Sequence, residues 1–122
     1  MTLRVLRLTG FVMVCLLLAV GCHKPDSTVL GKMPEGEPRT ISSVKTGDTP
    51  PQVTLQGAMI EKCPVAGCWF RLRDSTGVIK VDTKLAGFVV LDIPLKSRLT
   101  VMGKKVVADG NEITIEATGV RY

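Results

Sequence analysis

The stretch Glu61-Lys62-Cys63-Pro64-Val65-Ala66-Gly67-Cys68-Trp69-Phe70 decides the fold of this chain. It holds two cysteines and the only Trp of the sequence, and its Pro64 and Gly67 are suited to a tight reversal. Apolar and polar residues alternate on both sides of it, over residues 53–60 before and 68–73 after, as in half-buried strands. We therefore expect this stretch to connect the first two antiparallel strands of a small β domain.

The same two-residue period continues to the end of the chain. Further strands are predicted over residues 78–83, 98–107 and 112–120, with a hairpin at Asp109-Gly110, both of which accept positive φ. Residues 84–97, broken by glycine and proline, form a connection with little room for a helix. Gly57 and Gly103 lie in the middle of long strands, where they allow sharp bends. This order and spacing of strands, hairpin and connection predicts an all-β, five-stranded OB-like barrel over residues 53–122. A small open sandwich is the alternative.

The N-terminal segment Met1–Gly21 is typical of an export signal. Two arginines precede an apolar run that is too short for a usual membrane span. The run Leu18–Cys22 resembles a bacterial lipobox, which implies cleavage before Cys22 and an acyl chain, such as palmitate, on the mature protein. His23 at the next position favours the outer membrane, with the domain facing the periplasm. An uncleaved N-terminal anchor is the alternative.

Residues 22–52 differ in composition from residues 53–122. They are rich in Pro, Gly, Ser and Thr, and their apolar residues show no sustained helical or strand spacing. We therefore expect a flexible, disordered tether between the lipid anchor and the barrel. Within them, Thr40 to Val44 is a candidate for a short edge strand. The formal net charge of +5 falls by two when the signal segment is removed, and no basic block remains. A polyanion-binding tail is therefore not expected.

Cys63 and Cys68 are the thiols expected inside the folded domain. In an oxidising compartment a disulfide between them is the first hypothesis, and closing so short a loop stabilises a fold by about 2 kcal/mol in the chain-entropy model. A labile redox pair is the second, although no helix N-terminus and no His is predicted nearby to lower a thiol pKa. The third is Cu(I) or zinc binding, for which Met59 and Met102 are distant candidates as further ligands. The sequence predicts no resident metal or cofactor.

The residues after Cys68 supply a candidate binding face. Trp69, Arg71 and Arg73 share the face of their strand opposite Phe70 and Leu72. An aromatic ring beside two arginines suits single-stranded nucleic acid, but an exported lipoprotein has little occasion to meet it. Nucleic-acid binding is therefore the lowest-ranked hypothesis.

The run from Lys62 to Phe70 is similar to the core of a family of small exported bacterial domains of unknown function. The signature of that family is Cys, three variable residues, Gly-Cys-Trp and an apolar residue between the first two strands. It is matched here by Cys63, Gly67, Cys68 and Trp69, and the likeness extends over Leu55 to Val107. The resemblance implies a compact β fold in the cell envelope and no particular activity.

No constellation typical of an enzyme is found in the sequence. The first functional hypothesis is therefore a membrane-tethered, non-catalytic binding domain in the cell envelope, with an envelope protein or small ligand as partner. The second is a thiol-redox or copper-handling protein that uses Cys63 and Cys68.

Overall fold

The computed structural model describes Gly21 and residues 27–122. Most of the predicted signal segment, the lipidation residue Cys22, and His23 lie outside these residues. No helix among the described residues is long and apolar enough to cross a lipid bilayer. The elements are β1 (Val29–Gly31), β2 (Pro38–Arg39), α1 (Ile41–Thr46), β3 (Gln52–Lys62), β4 (Trp69–Arg73), β5 (Val78–Asp82), β6 (Arg98–Val107), a 3₁₀ turn (Asp109–Asn111) and β7 (Ile113–Arg121).

Five of the strands close into a barrel. β3 pairs antiparallel with β4 on one side and with β6 on the other, β4 pairs with β5, and β6 pairs with β7. A parallel contact between β5 and β7, with Lys80 opposite Thr114, completes the circle. The predicted all-β, five-stranded OB-like barrel is confirmed, and the open sandwich is not what forms.

The core lies inside this barrel, and the predicted alternation decides which residues enter it. Each strand directs every second side chain inward, so the apolar set of each pattern is buried while the intervening residues face outward. The residues below 2% exposure inside the barrel include Leu55, Met59, Phe70, Leu72, Ile79, Val81, Leu99, Val101 and Ile115. In β4 the predicted faces are confirmed, with Phe70 and Leu72 buried and Trp69, Arg71 and Arg73 on the opposite face.

The two central glycines serve different purposes. At Gly103 the β6–β7 register shifts, as expected for a bend. In β3 the register against β4 shifts between Met59 and Glu61, not at Gly57. A Cβ at Gly57 would lie 2.3 Å from the backbone oxygen of Arg73. Gly57 is therefore required for close approach of two backbones and not for the bulge.

The connection over residues 84–97 contains no helix, as its length predicts. Val90 and Ile93 from this connection are fully buried against the core. The β6–β7 hairpin forms where it was expected, but the residues with positive φ are Gly110 (74°) and Asn111 (63°), one position later than predicted.

The prediction of a flexible tether over residues 22–52 is wrong for residues 29–31 and 38–46, which form β1, β2 and α1. β1 pairs antiparallel with β7, with Leu30 opposite Val120, and α1 buries Ile41 and Val44 completely. Residues 40–44 form a helix start and not an edge strand, because Thr40 accepts a hydrogen bond from the Ser43 N–H as an N-cap. The folded domain therefore begins well before the predicted boundary at residue 53. A single helical turn with two apolar residues is too short to give a recognisable period.

Candidate functional site

The turn between β3 and β4 holds both cysteines of the described part of the chain. Cys63 and Cys68 are half-buried free thiols, and the disulfide that the sequence predicts is not formed in this structure. The Cys63 N–H donates to the Trp69 carbonyl (3.0 Å) and the Gly67 N–H donates to the Cys63 carbonyl (3.1 Å), which closes the turn. Cys63 and Cys68 flank the four residues of this turn. The turn thus brings the predicted thiol pair together.

The backbone of this turn surrounds the Cys63 sulfur with donors. Hydrogen bonds from the N–H groups of Ala66 and Val65, and then of Gly67, hold the pKa of the Cys63 thiol below its ordinary value, against the opposing effect of desolvation. Successive backbone N–H groups in a turn form a concave anion cradle, as a helix N-terminus does. The sequence predicts neither a helix N-terminus nor a His near Cys63, and the donors come instead from the backbone N–H groups of the turn itself.

The connection over residues 84–97 fixes this turn in place. The Val90 N–H donates to the Gly67 carbonyl at 2.9 Å, and the Lys62 Nζ donates to the carbonyls of Leu91 and Ile93. Gly67 has a φ of +59°, and a Cβ there would lie 2.6 Å from Leu91 Cγ. Glycine is thus the residue that this turn requires at that position.

Trp69, Arg71 and Arg73 do share the outward face of β4, but they do not form one site. Lys80 Nζ lies 5.2 Å from the centroid of the Trp69 ring, a cation–π contact that covers one ring face. Arg71 lies 3.3 Å from a carboxylate oxygen of Glu61 and 3.9 Å from one of Glu112. The ring has one face occupied and the first arginine has two partners, which does not favour a stacking platform for nucleic acid.

Arg73 belongs instead to a second group of residues, on the barrel face where β4, β3 and β6 lie side by side. Ala58 of β3 is opposite Arg73 on one side and opposite Arg98 on the other. Directly opposed residues present their side chains on the same face, so the two arginines flank a methyl group. A cavity of about 430 Å³ lies there, lined also by Gln56, Gly57, Asp74 and Ser75. We call this group the arginine cradle.

Asp74 is the one carboxylate that lines the arginine cradle, and its oxygens are already occupied. Oδ2 accepts from the Ile41 N–H at 2.8 Å, and Oδ1 accepts from Thr76 (N–H and hydroxyl) and the Gly77 N–H. Desolvation raises the pKa of Asp74, but these hydrogen bonds outweigh it and the pKa lies below its usual range. Among the described residues, neither Arg73 nor Arg98 has a carboxylate oxygen within ion-pairing distance.

Arg98 is the site residue that the sequence did not reveal. Its place on an outward face was predictable from the alternation with Leu99 and Val101, but its neighbours were not. The register of β6 against β3 is set after a fourteen-residue connection without regular structure, so the pairing with Ala58 cannot be counted along the chain.

The thioether candidates for copper do not gather at the thiol pair. Met59 is fully buried in the barrel core, and Met102 lines a cleft beside β2. Across Gly21 and residues 27–122, no group of three or more His, Cys, Asp and Glu side chains is placed to hold a metal ion. Cys63 and Cys68 are thus the metal-binding groups that this turn offers.

Comparison with known proteins supports the fold alone. No family model matches the chain, and no curated protein sequence matches it. Among solved structures, the chain is similar to the hypothetical protein ygiW from E. coli, with 23% identity and a TM-score of 0.53. The match covers 71% of this chain and 90% of that one. The resemblance to an exported domain family, carried by Cys63, Gly67, Cys68 and Trp69, stays a prediction.

Proposed function

We propose that this protein is a lipid-anchored cell-envelope protein that faces the periplasm from the outer membrane. In this proposal its barrel is a non-catalytic binding domain for a phosphate-bearing ligand. The observation that carries the binding is the placement of Arg73 and Arg98 on either side of Ala58, with no carboxylate partner among the described residues. The anchoring rests on the sequence from Met1 to Cys22.

The geometry of the arginine cradle suits a doubly charged oxyanion. Adjacent strands lie about 5 Å apart, so the two arginine α-carbons are separated by roughly 10 Å, within reach of two long side chains that converge on one group. Each guanidinium offers a planar fork of donors that matches phosphate oxygens. Gln56 and Ser75 add neutral hydrogen-bonding groups at the rim.

Charge distinguishes the arginine cradle from a larger cleft on the same molecule. The larger cleft has a volume of about 860 Å³ and is lined by Glu35 and Glu37 together with Lys32 and Arg39. Its two positive and two negative side chains cancel, so it has no net attraction for an anion. In the arginine cradle the single carboxylate is engaged by four donors, and the two guanidinium charges prevail.

The test of binding is a titration of the mature protein, in neutral detergent, with inorganic phosphate, followed by NMR of the backbone and arginine side chains. We expect saturable shifts at residues 56–58, 73–75 and 98. Arg73→Gln and Arg98→Gln should each weaken binding about tenfold or more, because each removes a charge-assisted hydrogen-bonding fork.

Arg71→Gln is the matched control, since it removes an arginine of the same strand face that is already paired with Glu61 and Glu112. This variant should bind phosphate as the wild type does. Acetate tests whether a singly charged carboxylate suffices, and we expect weaker binding. Shifts that are absent, or that Arg71→Gln reduces as much as Arg73→Gln does, would overturn the proposal.

The anchoring is tested by intact mass and by labelling cells with radioactive palmitate. We expect label in the wild type and none in Cys22→Ser, with the wild-type protein in the outer-membrane fraction. A wild-type protein that begins at Met1 and carries no lipid would refute this part and leave the binding test unaffected.

A further inference from the structure

We infer that Cys63 and Cys68 form a redox pair, in which Cys63 attacks an external disulfide and Cys68 completes the exchange by closing an intramolecular disulfide. This activity is separate from anion binding at the arginine cradle and does not depend on it.

The turn is built so that an external disulfide can reach Cys63. Pro64, Val65 and Ala66 are exposed, Val65 at 86%, while Gly67 behind them is buried. Both thiols are free and belong to one short turn, which the Cys63 N–H closes by donating to the Trp69 carbonyl and the Gly67 N–H by donating to the Cys63 carbonyl. Access for a partner and a resolving thiol within reach are the two requirements of thiol–disulfide exchange.

The two cysteines are not equivalent. The Cys63 sulfur accepts hydrogen bonds from the N–H groups of Val65, Ala66 and Gly67, all of which favour a negative charge on it. Cys68 is held through its carbonyl, which accepts from the Thr83 N–H at 2.9 Å. The donors therefore assign Cys63 as the attacking thiolate and Cys68 as the resolving thiol.

The lowered pKa of Cys63 agrees with this assignment. A lower pKa increases the thiolate fraction at neutral pH, and the thiolate is the nucleophile. The rate at which the Cys63 thiol reacts should therefore rise with pH through its folded-state pKa. It should level off at a lower pH than for the same cysteine in the unfolded chain.

The exchange balances without any further reactant. The Cys63 thiolate attacks one sulfur of the external disulfide; the new mixed disulfide forms as the external S–S bond breaks, and the first external thiolate leaves. Cys68 then loses its proton to solvent, and its thiolate attacks the Cys63 sulfur and releases the second external thiolate. The external disulfide is reduced to two thiols, and the Cys63–Cys68 pair is oxidised to a disulfide. The reverse sequence, with an external dithiol, restores the pair.

The experiment uses the full mature protein, first reduced and then mixed with glutathione disulfide or with insulin as a polypeptide disulfide. Cys68→Ser should accumulate a stable mixed disulfide at Cys63, located by peptide mass mapping. Cys63→Ser should react at least tenfold more slowly. Circular dichroism checks that both variants are folded. The two oxidants show whether small-molecule or polypeptide disulfides are the better substrate.

A measurement on the unmutated protein keeps the inference testable even if a variant fails to fold. Reduced wild-type protein is alkylated briefly with iodoacetamide over a range of pH, and the modified cysteine is identified. We expect Cys63 to be modified first, with a plateau at lower pH than in urea. Equal modification of both cysteines, or a native disulfide that dithiothreitol reduces only after unfolding, would overturn the inference. Neither result bears on phosphate binding by Arg73 and Arg98.

Discussion

The backbone N–H of Ile41 donates a hydrogen bond of 2.8 Å to Oδ2 of Asp74, 33 residues further along the chain. The neighbouring Ser42 N–H donates to the hydroxyl of Thr76 at 3.0 Å. The β4–β5 turn thus satisfies free N–H groups at the start of α1, which a helix cannot satisfy by itself. This contact attaches the N-terminal segment to the barrel and fixes the turn that borders the arginine cradle.

Asp74→Asn should destabilise the protein by about 1 to 2 kcal/mol at pH 7, as for loss of a charged helix cap. The folded-state pKa of Asp74 is lowered, so its contribution is present above its unfolded pKa and is lost as the pH falls through the folded value. Urea unfolding of both proteins at pH 7 and at pH 3 measures this. The difference in free energy of unfolding between the wild type and Asp74→Asn should be smaller at pH 3 than at pH 7. An equal difference at both pH values would contradict the role of the charge.

α1 is a structural part of the domain, and its burial predicts a measurable contribution. Ile41→Ala removes a fully buried side chain and should cost about 2 to 4 kcal/mol in free energy of unfolding. Lys45→Ala, in the same helix but exposed, is the matched control and should change stability by less than about 0.5 kcal/mol. Thermal unfolding of the two variants separates these outcomes. If Ile41→Ala unfolds at the same temperature as the wild type, residues 41–46 act as a tether after all.

The barrel was predictable because strand alternation is a strong signal, whereas α1 and the arginine cradle were not. Ile41 and Val44 give one turn of helical spacing, which Pro- and Gly-rich surroundings obscure. The pairing of Ala58 with Arg98 depends on a register that no local pattern encodes. The position of Cys63 and Cys68 between the first two strands was predictable, but the direction of the N–H groups around Cys63 depends on the backbone path of the turn.

Gly57 lies where two strands approach too closely for a side chain. Gly57→Ala should destabilise the fold by about 3 kcal/mol, because its Cβ would overlap the Arg73 carbonyl oxygen and force β3 and β4 apart. Gly77→Ala is the control, since a Cβ there would be 3.6 Å from Ile41 Cγ2, an ordinary contact. Chemical denaturation compares them. Equal stabilities would show that the strands adjust without cost.

Lys62 connects β3 to the segment over residues 84–97 through its ammonium group, which donates to the carbonyls of Leu91 (2.7 Å) and Ile93. Lys62→Met keeps the apolar part of the side chain but removes both charge-assisted hydrogen bonds, at a cost of about 1 to 3 kcal/mol. The loss of stability should be local. The Leu91 and Ile93 carbonyls belong to the part of the connection whose Val90 and Ile93 side chains are buried against the core. Hydrogen exchange should therefore accelerate at the Val90 and Ile93 amides, while the β6–β7 amides stay protected.

Lys84→Met is the matched control for this prediction, because Lys84 is an exposed lysine at the start of the same connection. Its exchange pattern should equal that of the wild type. Since the Val90 N–H donates to the Gly67 carbonyl, Lys62→Met should also loosen the Cys63–Cys68 turn and reduce the difference in alkylation rate between the two cysteines. Unchanged exchange at Val90 in Lys62→Met would show that apolar burial alone holds the connection, and that the ammonium contacts contribute nothing to the order of the thiol turn.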